Sequence, residues 1–235
     1  METAAAATFA APSIDVIESL LDVTYTWGYQ ESRQKLRDLY VIAAGARYPG
    51  YSAISDTIGG LGAKDAPHPD LIGAGFLALS AATVAAGIAL FRLLPGRSGR
   101  AASIVVILAG ASVSSLAFVQ QDCTLAKAKC VNAGLSGDLS TAHTLHRLVA
   151  VLAIAALVGA LVMMTVSLRG SSDFESWAEA TTWVTLAAGT LFVWFGSELY
   201  GDLGGFVERL VMVFAFGWPV VLSVGLTRRH YQLLG

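Results

Sequence analysis

Charge is what this sequence has least of. Asp, Glu, Lys and Arg make up 14% of its 235 residues, against 55% hydrophobic residues; a soluble domain carries about 25% charged residues. Neither sign dominates, since the net charge is −2. There is no basic stripe and no aromatic–basic alternation, which excludes a nucleic-acid partner. The start, METAAAATFAAPSIDVIE, lacks a basic region and is broken early by Pro12, Asp15 and Glu18, so no cleaved signal peptide is expected. Neither end carries a lipidation motif. With no inverted repeat and no pair of interrupted apolar segments, a transporter is disfavoured.

What the chain has in quantity is long apolar sequence, with a mean hydropathy of +0.63. Crossing a ~30 Å hydrocarbon core takes about 20 mostly apolar residues. Five stretches qualify: 71–94, 101–119, 145–168, 178–196 and 206–227. The fold class expected is therefore all-α, a polytopic helical membrane bundle of five transmembrane helices. Residues 1–45 form an N-terminal tail, 46–229 the transmembrane domain and 230–235 a C-terminal tail. Ile17, Leu20, Leu21 and Tyr25 recur at helical spacing, as do Leu36, Leu39 and Tyr40, so the tail reads as an amphipathic helix.

Basic residues alternate between the connections. Arg97 and Arg100 lie in the first, Arg169 in the third, and Arg228 and Arg229 follow the last span, whereas the fourth holds only Glu198 and Asp202. The positive-inside rule then makes the C-terminus cytoplasmic and turns the second and fourth connections outward, with Lys127 and Lys129 counting against it. The same orientation puts residues 1–70 outside with no secretion signal before them. The alternatives are translocation of the tail after insertion, or a tail lying on the cytoplasmic surface.

Packing features can be read too. Ala74, Ala78, Ala82 and Ala86 form a ladder of small residues suited to close helix approach. Pro219 interrupts the last span, and Trp177 and Trp194 sit near span ends. Ser112, Ser114 and Ser115 are expected as hydrogen-bond donors between helices, since no G-x-S-x-G surrounds them to make a nucleophile. Pro49 and Gly50 form a turn pair ahead of the first span.

Several ionisable groups fall at the outward ends of spans, where they are costly unless paired or wet. His143 and His146 are three apart and so share one helix face. With a carboxylate from Asp122 or Asp56 they make an N/N/O set for a divalent metal such as zinc, which could activate water for hydrolysis. His143, His146 and Asp122 are thus the catalytic candidates, although H-x-x-H is less distinctive than H-E-x-x-H. In a milder version a histidine donates a proton while Arg147 or Arg209 clamps a lipid phosphate. Ser55 and Asp56 join these arginines as ligand-binding candidates. The structural alternative has the histidines only anchoring helices, with Arg147 and Arg209 paired to Asp122 and Glu208. An oxidising exterior would join Cys123 and Cys130 in a short disulfide; two free thiols are the alternative.

ARYPGYSAISDTIGGLGAKDAPHPDLIGAGFLAL, the Asp122 loop, TAHTLH from Thr141 and GFVERLVMVFAFGWPVVL together resemble a prokaryotic membrane family catalogued as domain of unknown function 998. The resemblance covers roughly residues 46–229. That family is distantly similar to the eukaryotic damage-regulated autophagy modulators and to membrane proteins of GPI-anchor lipid remodelling. The resemblance implies a prokaryotic plasma membrane location and lipid handling, with membrane lipids as partners. Members usually have a further span before YPGYS, which the charged stretch 13–46 does not supply here. TYTWGYQESRQKLRDLYV, residues 24–41, is similar to the first helix of ferritin-like di-iron proteins, but no Glu-x-x-His exists in the chain to carry iron. The leading functional expectation is an integral membrane protein that binds or hydrolyses a lipid or lipid-linked substrate at the outer leaflet. A non-catalytic membrane scaffold or partner subunit is the rival.

Overall fold

Apolar sequence of this length folds as helix, because a bilayer offers no water to satisfy the backbone and the helix satisfies it internally. The computed structural model describes residues 51–124, 128–170, 174–198 and 201–234. Among these lie seven helices: α1 (Ile58–Leu61), α2 (Pro69–Leu93), α3 (Gly96–Ser114), α4 (Ala128–Ser136), α5 (Thr141–Arg169), α6 (Glu175–Ser197) and α7 (Gly204–Leu234). A 3-10 turn, Ser115–Ala117, extends α3. The tail expected over 1–45, the di-iron-like stretch 24–41 and the Pro49–Gly50 turn lie outside the described residues. At the other end, α7 runs through the expected tail boundary at residue 230 to Leu234, with Pro219 inside it.

Local chemistry fixes the joints. Pro69 opens α2 where a missing N–H removes no helical bond. Gly96 turns the chain sharply into α3 with φ 72°, a region that L side chains avoid. Ser140 caps α5 by accepting the His143 N–H at 3.2 Å.

The five long helices close a ring. Each packs on the next in chain order, and α7 returns to α2. Leu90, Leu157, Leu161, Met164, Leu168 and Leu222 are fully buried inside it. Outward, Leu108, Val166, Trp183, Val193 and Val213 are exposed. Apolar residues on both the inner and outer faces suit a solvent of lipid tails rather than water.

Among the described residues, four helices are long and apolar enough to cross a membrane: Pro69–Leu93, Gly96–Ala117, Thr141–Arg169 and Gly204–Arg229. The helix at the expected fourth span, α6, has the length, at 23 residues, but is not one of these four. Its threonines lower its hydropathy. Their hydroxyls are nonetheless used within the protein: Thr181, Thr182 and Thr185 donate to the carbonyls of Trp177, Ala178 and Thr181 at 2.6–2.7 Å. Thr185 also meets Thr165 of α5 at 3.1 Å, and Thr181 accepts from Trp218 Nε1 of α7 at 3.1 Å.

Two packing expectations are corrected. Ala74, Ala78 and Ala82 face outward, and only Ala86 of that ladder is buried. The close approach of α2 and α3 runs instead through Gly87, whose added Cβ would lie 3.1 Å from Ile107 N, and Gly110, whose Cβ would meet Thr83 at 3.0 Å. A four-residue ladder drifts around a helix of 3.6 residues per turn, so it does not stay on one seam. Ser112, Ser114 and Ser115 bond back to Ala109, Ala111 and Ser112 carbonyls within their own segment rather than across helices.

Candidate functional site

One end of the ring is covered by the segment from Tyr51 to Ala66, and its polar groups are drawn together by long-range bonds. Asp56 stabilises a local turn, its carboxylate accepting Ser52 N–H at 2.8 Å. The start of α7 docks on this turn through Gly205 N to Ser55 O at 3.2 Å and Phe206 N to Ile54 O at 2.8 Å. Arg209, one turn into α7, donates to the carbonyls of Gly205 at 2.7 Å, Ala53 at 2.9 Å and Asp56 at 3.1 Å, and to the Tyr51 hydroxyl. Burial pushes the Tyr51 phenol above its ordinary value, against the opposing pull of the Arg209 charge. Beside it, the buried Glu208 accepts the Ile58 N–H at 2.5 Å and so caps α1.

The second half of the rim is organised by Asp122. One carboxylate oxygen takes Lys64 Nζ at 2.7 Å and the other takes Ser140 N–H at 2.7 Å. These two partners, Lys64 first, hold its carboxyl down to about 2 from an ordinary 3.8. The Asp122 N–H donates to His143 Nδ1 at 3.2 Å. His143 is fully buried, and its Nε2 has no hydrogen-bond partner. Next to it Cys123 and Cys130 form a disulfide. The ligand atoms of Cys123, Cys130 and His143 lie within 4.8 Å of one another.

His146 sits one turn deeper. Its Nδ1 meets the Val119 carbonyl at 2.5 Å, so Nδ1 carries the ring proton. Its Nε2 would lie 3.2 Å from a Cβ added at Gly59, and Gln121 Nε2 2.8 Å from the same point, so a side chain there would displace Gln121 and press on His146. Gly59, Gln121, His146 and Glu208 share a cavity of about 40 Å³, otherwise lined by apolar side chains such as Phe76, Leu116 and Phe216. Gln121 is buried, and its Oε1 has no partner. A single water needs roughly 10–15 Å³ measured this way, so the space admits a few waters and no lipid headgroup.

A family model described as "Protein of unknown function (DUF998)" matches residues 39–225. The chain belongs to the DUF998 family. No curated protein and no solved structure matches it.

In this DUF998 chain the sequence-predicted residues do gather at one rim, but not as the expected metal set. The Asp122 carboxylate is taken by Lys64 and Ser140, the Asp56 carboxylate by Ser52, and His146 Nδ1 by Val119. Among the described residues, the group close enough to share an ion is Cys123, Cys130 and His143. Asp122 pairs with Lys64, and Glu208 binds a backbone N–H. Ser55 takes part through its carbonyl, and Arg147 is half-buried in the second turn of α5. Sequence reasoning missed Tyr51, Gly59, Lys64 and Gln121. The one local signal for them was the density of small and polar residues in YSAISDTIGGLGAKD, a segment too glycine-rich to be lipid-facing helix.

Proposed function

We propose that this DUF998 protein is an integral membrane scaffold or partner subunit whose scarce ionisable groups close one end of a five-helix ring. The supporting observation is Arg209, whose guanidinium is taken up by three backbone carbonyls and the Tyr51 hydroxyl. A guanidinium so engaged is a staple rather than a phosphate clamp. Asp122 and Asp56 are likewise engaged, which leaves the proposed catalytic set without a free carboxylate.

In this reading α6 is the fourth of five spans, since it packs between α5 and α7 and about 35 Å of helix follows from its length. The second and fourth connections face outward, the C-terminus is cytoplasmic, and the membrane is a prokaryotic plasma membrane. The disulfide of the second connection supports that orientation, because such bonds persist in oxidising compartments. Membrane lipids contact the outward apolar faces.

A second reading keeps the lipid substrate. It is favoured by the cavity holding Gln121, His146 and Glu208 in apolar surroundings, but that space must widen before a headgroup enters.

Reconstitution in vesicles of phosphatidylethanolamine and phosphatidylglycerol separates the two. The scaffold reading expects no lipid turnover dependent on His146, and a loss of thermal stability in His146→Ala. Turnover that disappears in His146→Ala while the melting temperature holds would overturn it. Side-specific labelling of Arg97→Cys and Glu198→Cys checks the orientation: both on one side would sink it.

A further inference from the structure

The rim contains one group whose chemistry the staple reading leaves unused. His143 is fully buried, yet its Nε2 has no hydrogen-bond partner. A buried polar atom left so is uncommon and calls for an ion, a water or a redox role. Near the His143 ring lie two sulfurs, from Cys123 and Cys130, themselves 7% and 1% exposed. All three ligand atoms fall within 4.8 Å of one another, and the Cα atoms of the two cysteines are 5.7 Å apart.

We infer that Cys123, Cys130 and His143 form a redox-gated metal site: closed as a disulfide, and open to a zinc-type ion as a dithiolate with imidazole. The metal set expected from sequence, His143 and His146 with a carboxylate, is thereby replaced by a sulfur-rich one.

The spacing suits the ion. Tetrahedral zinc with ~2.3 Å bonds to sulfur holds its two sulfurs ~3.8 Å apart. Two thiols freed from a disulfide but held by the same backbone relax to about that van der Waals separation. Two thiolates and one imidazole are a recurrent zinc set, with the fourth position left to water. The ion would remove the unpartnered state of His143 Nε2.

The step balances. A dithiol reductant supplies two electrons and two protons, leaving as its own cyclic disulfide, and Cys123 and Cys130 become thiols. Metal binding then releases both thiol protons. In the disulfide form His143 Nδ1 accepts the Asp122 N–H, so the neutral ring carries its proton on Nε2. Coordination through Nε2 moves that proton to Nδ1, which gives up a hydrogen bond of 3.2 Å.

The test is titration of the full chain in detergent with cobalt(II) alone, before and after reduction. The reduced chain is expected to bind about one equivalent, with thiolate-to-cobalt absorption in the near ultraviolet, and the oxidised chain none. His143→Ala, reduced, is expected to bind at least tenfold more weakly, and Cys123→Ser with Cys130→Ser to lose the thiolate band. No uptake by the reduced chain, equal uptake by the oxidised chain, or an unchanged His143→Ala titration each overturns the assignment. Should His143→Ala fail to fold, the wild-type histidine nitrogen resonances decide. A zinc-dependent shift at one Nε2 in the reduced chain supports the site, and no shift refutes it.

Discussion

Glu208 Oε2 accepts the backbone N–H of Ile58 at 2.5 Å across 150 residues of sequence. The bond ties the start of α7 to the short α1 through a buried carboxyl. Removing an acceptor from a buried donor costs about 1–3 kcal/mol. Glu208→Ala is therefore expected to lower thermal stability by that order, while Glu208→Gln, which keeps an acceptor oxygen, retains most of it. Melting curves in one detergent check this, and equal losses in both variants would refute the capping role.

Asp122 sets an acid limit on the rim. Its folded-state value lies below its ordinary one, so the stability it adds is present above about pH 4 and is lost as pH falls toward about 2. Lys64 is 52% exposed, so solvent screens the pair and the contribution is about 1 kcal/mol or less. Asp122→Asn should flatten the fall in melting temperature over that window and leave the curve above pH 5 parallel to wild type. A slope unchanged by Asp122→Asn would assign the acid limit elsewhere.

Arg209 tests whether geometry or charge matters at the 51–56 turn. A lysine keeps the charge but cannot present the planar fork that reaches three carbonyls and a phenol. Arg209→Lys should destabilise by about 2 kcal/mol, given ~1.5–3 kcal/mol for bonds to charged groups, and speed proteolysis within residues 51–66. Wild-type protease resistance in this variant would show that the carbonyl contacts are dispensable.

Gly205 makes the closest backbone approach at this end. A Cβ there would lie 2.2 Å from the Asp56 carbonyl oxygen, and neither backbone can yield without moving α7. Gly217, in the same helix, has nothing within 4 Å of its Cβ position. Gly205→Ala is expected to cost about 1–3 kcal/mol, and Gly217→Ala to be neutral or slightly stabilising. The contrast is read from paired unfolding curves, and matching behaviour at the two sites would contradict the docking geometry.

The spans were legible because hydropathy is summed over neighbours in sequence, and α2, α3, α5 and α7 need no distant partner to declare themselves. The α6 helix was legible as apolar sequence, but its threonines blur the signal. Whether Thr181 is a polar liability depends on Trp218, which sits 37 residues away. His143 and His146 were correctly set on one face, since three residues is close to one helical turn. Their partners were not legible. Val119, the cysteines and the Asp122 backbone reach them only through the tertiary fold.

By itself, then, the sequence determined an all-helical chain in which most of the apolar surface has no use in water, because helix formation and lipid preference are local properties of composition and period. Tertiary structure alone decided which scarce charges meet. Lys64 takes Asp122 at a separation of 58 residues, Glu208 takes Ile58 at 150, and Arg209 takes Ala53 at 156. A hydrogen bond is directional and spans about 3 Å, so its partner is chosen by how the ring closes and not by any pattern written along the chain.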